Sequence, residues 1–310
     1  MGSGILNLLK PPGLTSHDAV QEVRRLFGTR RVGHAGTLDP GAAGVLVVCI
    51  GEATKAVAFM EAHEKEYWGE AVLGWATFTQ DAEGAVVDQV PEGWETDSAR
   101  VAAAAARLTG DLEQTAPLVS AVHQGGERLY RLARRGAAVE RPLRRVRVER
   151  FAVEELLPNS AGKLGAGSRM RFSVTCSRGT YVRALVDEFG RALGGLAYLE
   201  FLLRTRSGPF RLAGASTLEE LAEESDPARL LVPVERGLLY PALHLGREEA
   251  ARFRNGAVAE GQAGPPGRRL VYGPNSAEPG FAFLGVGEVD PAGRLRPLRL
   301  FGVGEERDER

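Results

Sequence analysis

The 310-residue chain is poor in cysteine, in lysine and in long apolar runs. Its two cysteines, Cys49 and Cys176, each sit inside an apolar stretch. They read as buried thiols of a reducing compartment rather than as a disulfide framework or a zinc cluster. The longest apolar run, Ala42 to Ile50, has nine residues, whereas a membrane-spanning helix needs about 20. The N-terminus lacks a basic-then-apolar leader, and Leu6 stands where a myristoylation motif has Ser or Thr. A soluble, cytoplasmic protein is therefore expected, with no membrane association. Net charge is also nearly absent, at −1. With 44% hydrophobic and 25% charged residues, the chain has globular proportions and enough length for a large domain plus a small one.

The near-zero charge conceals an uneven distribution. Nine arginines lie between Arg128 and Arg150, against two acids, Glu140 and Glu149. Glu219, Glu220, Glu223, Glu224 and Asp226 form an acidic counterpart. Leu129 and Tyr130 interleave with Arg128, Arg131, Arg134 and Arg135. Charge for phosphates beside flat groups for bases makes RNA the favoured partner class.

Local patterns give a coarse architecture. Thr15 and Asp18 form a capping-box pattern ahead of a helix whose apolar face is Val20, Val23, Leu26 and Phe27, with Gly28 as its stop. From Gly33 to Gly44 four glycines predict a loop, followed by a strand, Val45 to Ile50, apolar enough to be buried on both faces. Glu66 to Trp75 alternates and places Tyr67, Gly69, Ala71 and Leu73 on one face. Ser98 to Leu108 reads as a helix, and Gln114 to Arg144 as a surface arm. Val146 to Phe151 and Arg169 to Cys176 read as strands. A helix with the stripe Val182, Leu185, Val186, Phe189 and Leu193 follows, and Ser216 with Glu219 opens an acidic one. After a boundary at Pro227 to Arg236, short strands at Leu270 to Tyr272, Phe281 to Val289 and Leu295 to Phe301 predict a small β-rich domain.

Taken singly, the chemical candidates have ordinary readings. Asp39 before Pro40 and Gly41 is a common turn. His34 is a loop histidine, and Tyr67 a strand aromatic. Arg183 has Asp187 one helical turn away as a partner.

Four blocks, taken together and in order, change this. Gly4 to Ser16 (GILNLLKPPGLTS), Gly33 to Gly44 (GHAGTLDPGAAG), Ala116-Pro117 with Ser120-Ala121-Val122 and Tyr130 to Arg134 (YRLAR), and Cys176 to Arg183 (CSRGTYVR) resemble the motifs of the TruB family of bacterial tRNA pseudouridine synthases. The likeness covers most of residues 4 to 206. It implies an α+β fold, with a mixed-sheet catalytic domain over residues 1–235, including an RNA-gripping arm at about 114–144. It also implies a small PUA-like β-barrel at 236–303; the charged composition of 304–310 predicts a disordered tail.

The resemblance further implies isomerisation of uridine at position 55 of the tRNA T loop, on a nucleotide extruded from its stack. Asp39 would be the nucleophile and Arg183 its partner. Tyr67, in Lys65-Glu66-Tyr67, would stack on the base, with His34 beside the nucleotide and Tyr181 and Leu202 lining the base pocket. Arg128, Tyr130, Arg131 and Arg134 would grip the T stem-loop. No cofactor or metal is implied, nor any protein partner, and a monomer is expected. Three positions depart from the family pattern: Ala116 for proline, and His123 and Arg178 for lysine. A synthase acting on another RNA, or an RNA chaperone without catalysis, are the alternatives.

Overall fold

A computed structural model describes residues 2–117, 123–124, 127–128, 142–261, 264–275 and 279–301. In chain order the elements begin with β1 (Gly4–Lys10), α1 (Ser16–Phe27), β2 (Val32–Ala35), β3 (Ala43–Ile50) and α2 (Val57–Met60). Next come β4 (Lys65–Leu73), β5 (Trp75–Thr77), β6 (Val86–Gln89), α3 (Ser98–Arg107) and β7 (Gly110–Thr115). The short pair β8 (His123–Gln124) and β9 (Glu127–Arg128) precedes β10 (Leu143–Leu157), β11 (Arg169–Cys176) and α4 (Val182–Ala192). After β12 (Ala197–Ser207), β13 (Phe210–Arg211) and α5 (Leu218–Glu223) the chain enters a second sheet. That part comprises β14 (Ala242–His244), α6 (Arg247–Arg254), β15 (Gly267–Pro274), β16 (Phe281–Val289) and β17 (Leu295–Leu300).

The main sheet is mixed, as expected. It runs β1-β3-β12-β4-β11-β10-β7, with β2 on β3 and β13 on β12. Its pairs are antiparallel except β12 with β3. β3 is buried on both faces because each face meets a different core. Leu46, Val48 and Ile50 join α1, α3 and α4 on one side. Val45, Val47 and Cys49 pack on the other with Met60, Phe210 and Leu238, with Leu270 and Val286 of the second sheet, and with Phe301 just after it. Strand alternation delivers the two sets to opposite faces. The smaller sheet runs β14-β15-β16-β17, and Arg268 ties it to the main body. Its guanidinium lies 5.4 Å from the Phe59 ring centre and 5.8 Å from that of Tyr240, and it donates to the Tyr240 hydroxyl at 3.1 Å.

Several local expectations hold in detail. Thr15 and Asp18 form a reciprocal capping box, and Gly28 ends α1 in the left-handed region at φ 60°. The inward face of β4 carries Tyr67, Gly69, Ala71 and Leu73.

Others are corrected. The loop after α1 is interrupted by β2, because Val32 to Ala35 pair with β3. The acidic helix is capped by Thr217 with Glu220 rather than by Ser216 with Glu219, since the Ser216 backbone is bonded to Asn7 and Leu9 of β1. Residues 114–115 and 143–144 belong to paired strands, not to an arm; the rest of the expected arm lies largely outside the described residues, as does the tail 304–310. β12, central to the sheet, has no counterpart among the strands expected from sequence, because Glu200, Arg204 and Arg206 break up any apolar run.

Helix α4 packs onto β12 through Gly190, where a Cβ would lie 2.3 Å from the Ala197 nitrogen. Backbone cannot retreat as a side chain can, so Gly190→Ala should destabilise the protein by about 1–3 kcal/mol. Urea unfolding monitored by circular dichroism would show this as a lower midpoint; an unchanged midpoint would refute the close approach.

Candidate active site

Asp39 lies on the loop from β2 to β3, and the loop is fastened on both sides of it. The Ser16 hydroxyl donates to the Leu38 carbonyl at 3.0 Å and accepts from the Leu38 N–H at 2.9 Å. The Lys10 ammonium, fully buried, donates to the carbonyls of Pro11 at 2.8 Å, Leu14 at 2.7 Å and Pro40 at 3.3 Å. Burial lowers the Lys10 pKa to about 8, with the Asp39 carboxylate acting in the opposite direction.

Arg183 comes to Asp39 from the first turn of α4. Its Nε donates to Asp39 Oδ2 at 2.9 Å, and its Nη1 donates to the Thr79 carbonyl at 2.8 Å. Nη1 also lies 3.4 Å from Asp81 Oδ2. The arginine side chain is 4% exposed and that of Asp39 41% exposed, so a dry guanidinium backs an acid that is open to a substrate. The local partner suggested by spacing is not used: Asp187 pairs with Arg191 at 3.0 Å.

In front of this pair is a cavity of about 690 Å³ lined by Asp39, Lys65, Tyr67, Tyr181, Leu202 and Arg204, with Arg144, Arg145 and Arg178 also on its wall. The size is ordinary for a site that encloses a small organic group. Tyr67 and Leu202 are 9% and 7% exposed. Burial raises the Tyr67 hydroxyl pKa, and the positive charge of Arg204 works against that rise. Tyr181 is held through its backbone, with its N–H donating to Gln114 Oε1 at 2.7 Å and its carbonyl accepting from Gln114 Nε2 at 3.1 Å. Lys65 is tied by its ammonium to the carbonyls of Glu61 at 2.7 Å and His63 at 2.5 Å. Burial, reinforced by Arg204, lowers its pKa to about 8.

The structure thus brings together Asp39, Arg183, Tyr67, Tyr181 and Leu202. His34 stands on β2 and is not among the cavity-lining residues. Its Nδ1 is buried without a hydrogen-bond partner, and burial lowers its pKa, with Arg204 adding to the effect. Of the expected RNA-gripping residues, Arg128 has its backbone in β9, and its side chain lies outside the described residues together with Tyr130, Arg131 and Arg134.

Three residues of the site carry no clear signal in the sequence: Asp81, Gln114 and Arg204. Asp81 reads there only as part of a turn. Arg204 is 1% exposed and donates from Nε to the Val45 carbonyl at 2.7 Å, from Nη1 to that of Thr37 at 3.2 Å and from Nη2 to that of Gly36 at 3.0 Å.

Comparison with known proteins places this geometry. Residues 24–182 match the model of the TruB family pseudouridylate synthase N-terminal domain, and residues 241–301 that of the pseudouridine synthase II TruB C-terminal region. The chain is 43% identical over 259 residues to tRNA pseudouridine synthase B of Geobacillus kaustophilus, covering 82% of this chain and 90% of that protein. It is 42% identical over 305 residues to the protein of the same name from Shouchella clausii, covering 96% and 98%. Among solved structures, a chain from a Cbf5-Nop10-Gar1 complex superposes with a TM-score of 0.69 at 25% identity, over 96% of this chain and 84% of that one. The chain belongs to the TruB family of pseudouridylate synthases.

Proposed function

We propose that the protein isomerises uridine to pseudouridine at position 55 in the T loop of tRNA, with Asp39 as the reacting carboxylate. The observation that carries this reading is the 2.9 Å contact of buried Arg183 with half-exposed Asp39, beside a cavity lined by Tyr67, Tyr181 and Leu202. The curated relatives named tRNA pseudouridine synthase B support tRNA as the substrate.

The reaction breaks the N1–C1′ bond, turns the base and joins C5 to C1′; the C5 proton leaves and N1 takes one up. Nothing is oxidised and no group is transferred to another molecule, so no cofactor is called for. An ionised Asp39 can begin it by attacking C1′, by attacking C6 of the ring, or by taking a ribose proton. In each case Arg183 fixes one carboxylate oxygen and leaves the other free to react. Extruding the uridine costs on the order of a few kcal/mol, of which stacking on Tyr67 returns about 1–3 kcal/mol. The arginines at the cavity wall suit the flanking phosphates.

In this reading residues 1–235 form the catalytic domain, and about 114–144 provide an arm for the T stem-loop through Arg128, Tyr130, Arg131 and Arg134. Residues 236–303 form a PUA-like RNA-binding domain. The enzyme works as a monomer in the cytoplasm. No helix among the described residues is long and apolar enough to cross a membrane.

Asp39→Asn should abolish tritium release from a T-arm transcript carrying 5-tritiated uridine, while binding stays within about threefold because the contacts to RNA remain. Turnover by this variant would remove Asp39 from the role. Arg183→Lys should lower the rate at least about 100-fold, because a point charge does not replace the guanidinium fork; near-normal release would show that the fork is dispensable. Replacing Arg131 or Arg134 with Ala should weaken binding and reduce the salt slope by about 0.7–0.9 for each phosphate no longer neutralised. An unchanged slope in filter binding would argue against a phosphate role. Pseudouridine mapping in a deletion strain tests the substrate: loss from rRNA with the T loop unaffected would point to a different RNA.

A further inference from the structure

We propose that Arg204 is a positioning residue for the reaction, holding the Asp39 loop at a fixed distance from the base pocket. It does so through the carbonyls of Gly36, Thr37 and Val45 on one side and through its backbone register with Tyr67 of β4 on the other. The inference rests on the reading of Asp39 as the reacting carboxylate.

Arg204 is the largest of the fully buried side chains among the described residues. Its hydrogen bonds to the backbone reach residues on either side of Asp39, two before it and one after, at 2.7 to 3.2 Å. Among the described residues no carboxylate forms an ion pair with it. Burying a cation without a counter-ion is costly, and an apolar side chain of similar volume would serve the core better. What only an arginine supplies there is a planar fork with donors facing several acceptors at once.

Its place in the sheet fits the role. On β12, Arg204 is in register with Gly44 of β3 on one side and with Tyr67 of β4 on the other. Leu202, two residues earlier, lines the cavity. The strand that closes the Asp39 loop and the strand that bears Tyr67 therefore meet at this one residue. The approach to β3 is so close that Gly44, at φ +113°, has room for no Cβ: one would lie 2.2 Å from the Arg204 carbonyl oxygen. A base resting on Tyr67 and Leu202 thus sits on the element that also sets where Asp39 stands. A misplacement of about 1 Å in such a geometry is worth roughly 100-fold in rate.

The test uses Arg204→Lys and Arg204→Gln in the full chain. Lysine keeps the charge but lacks the fork; glutamine keeps a planar donor but is shorter and neutral. Single-turnover tritium release from a T-arm hairpin should fall about 100-fold in both, with hairpin Kd within about threefold, a kcat-type loss that simple destabilisation would not give. Hydrogen exchange at residues 36–39 should quicken at least about tenfold while β4 and α4 keep their protection, which marks a local release. A rate within about threefold of the parent, exchange rising equally in β4 and α4, or failure of both variants to fold would overturn the proposal and leave Arg204 a core residue. The exchange measurement does not depend on Asp39 chemistry. Turnover by Asp39→Asn would strike the mechanistic reading, while an unreleased loop in the Arg204 variants would strike the tether.

Discussion

The contact between Arg183 and Asp39 joins positions 144 residues apart, and the two side chains occupy opposite environments. A carboxylate that is to act on an outside molecule has to be open to solvent, and a guanidinium that orients it works best when water cannot compete. The fold meets both needs by bringing the arginine from the first turn of a buried helix and the acid from a loop at the cavity mouth. The α4 stripe of Val182, Leu185, Val186 and Phe189 is fully packed, so the arginine cannot drift with its helix. Thr79 and Asp81 hold the other arm of the guanidinium, which leaves Nε for Asp39. Much of the nearby structure serves to keep this one distance.

Cations crowd the floor of the site. Lys10, Lys65, Arg183 and Arg204 are all buried, and the first two have pKa values near 8, chiefly through burial. Lys10, Lys65 and Arg204 direct their donors at backbone carbonyls. Carbonyl oxygens carry partial charge only, so positive potential remains in the cavity, which suits a polyanion. The same groups therefore stiffen the loops and favour RNA, a combination that neutral hydrogen-bond donors would not provide. The near-zero net charge of the chain says nothing about this, because the acids that balance it lie elsewhere, as in α5.

Legibility from sequence follows the range of the interaction. The Thr15 and Asp18 capping box, the doubly buried β3 and the face of β4 bearing Tyr67 are set by neighbours within a few residues, and each is readable. Asp39, Tyr67 and Arg183 have weak local patterns and become legible only through motifs taken jointly. The i,i+4 rule offers Asp187 to Arg183, and the fold gives that acid to Arg191. Asp81, Gln114 and Arg204 escape because their partners are distant in sequence: Gln114 reaches Tyr181 across 67 residues, and Arg204 reaches Gly36 across 168. One trace is available. Arg204 falls two residues after Leu202, on the inward phase of an alternating segment, where an arginine is out of place unless several acceptors await it.

The second sheet bears on the Asp39 loop through β3. One face of that strand packs against the helices that carry Arg183 and the loop-anchoring Ser16, and the other is covered partly by Leu270 of β15, Val286 of β16 and Phe301 just after β17. Without those three, Val45, Val47 and Cys49 would lose part of their cover, at the strand whose first residues close the Asp39 loop and whose Val45 carbonyl receives Arg204. The clamp of Arg268 between Phe59 and Tyr240 secures the same seam. A module expected from sequence as a separate RNA contact is part of the wall that keeps β3 dry, and its packing and the placement of Asp39 are linked through one eight-residue strand.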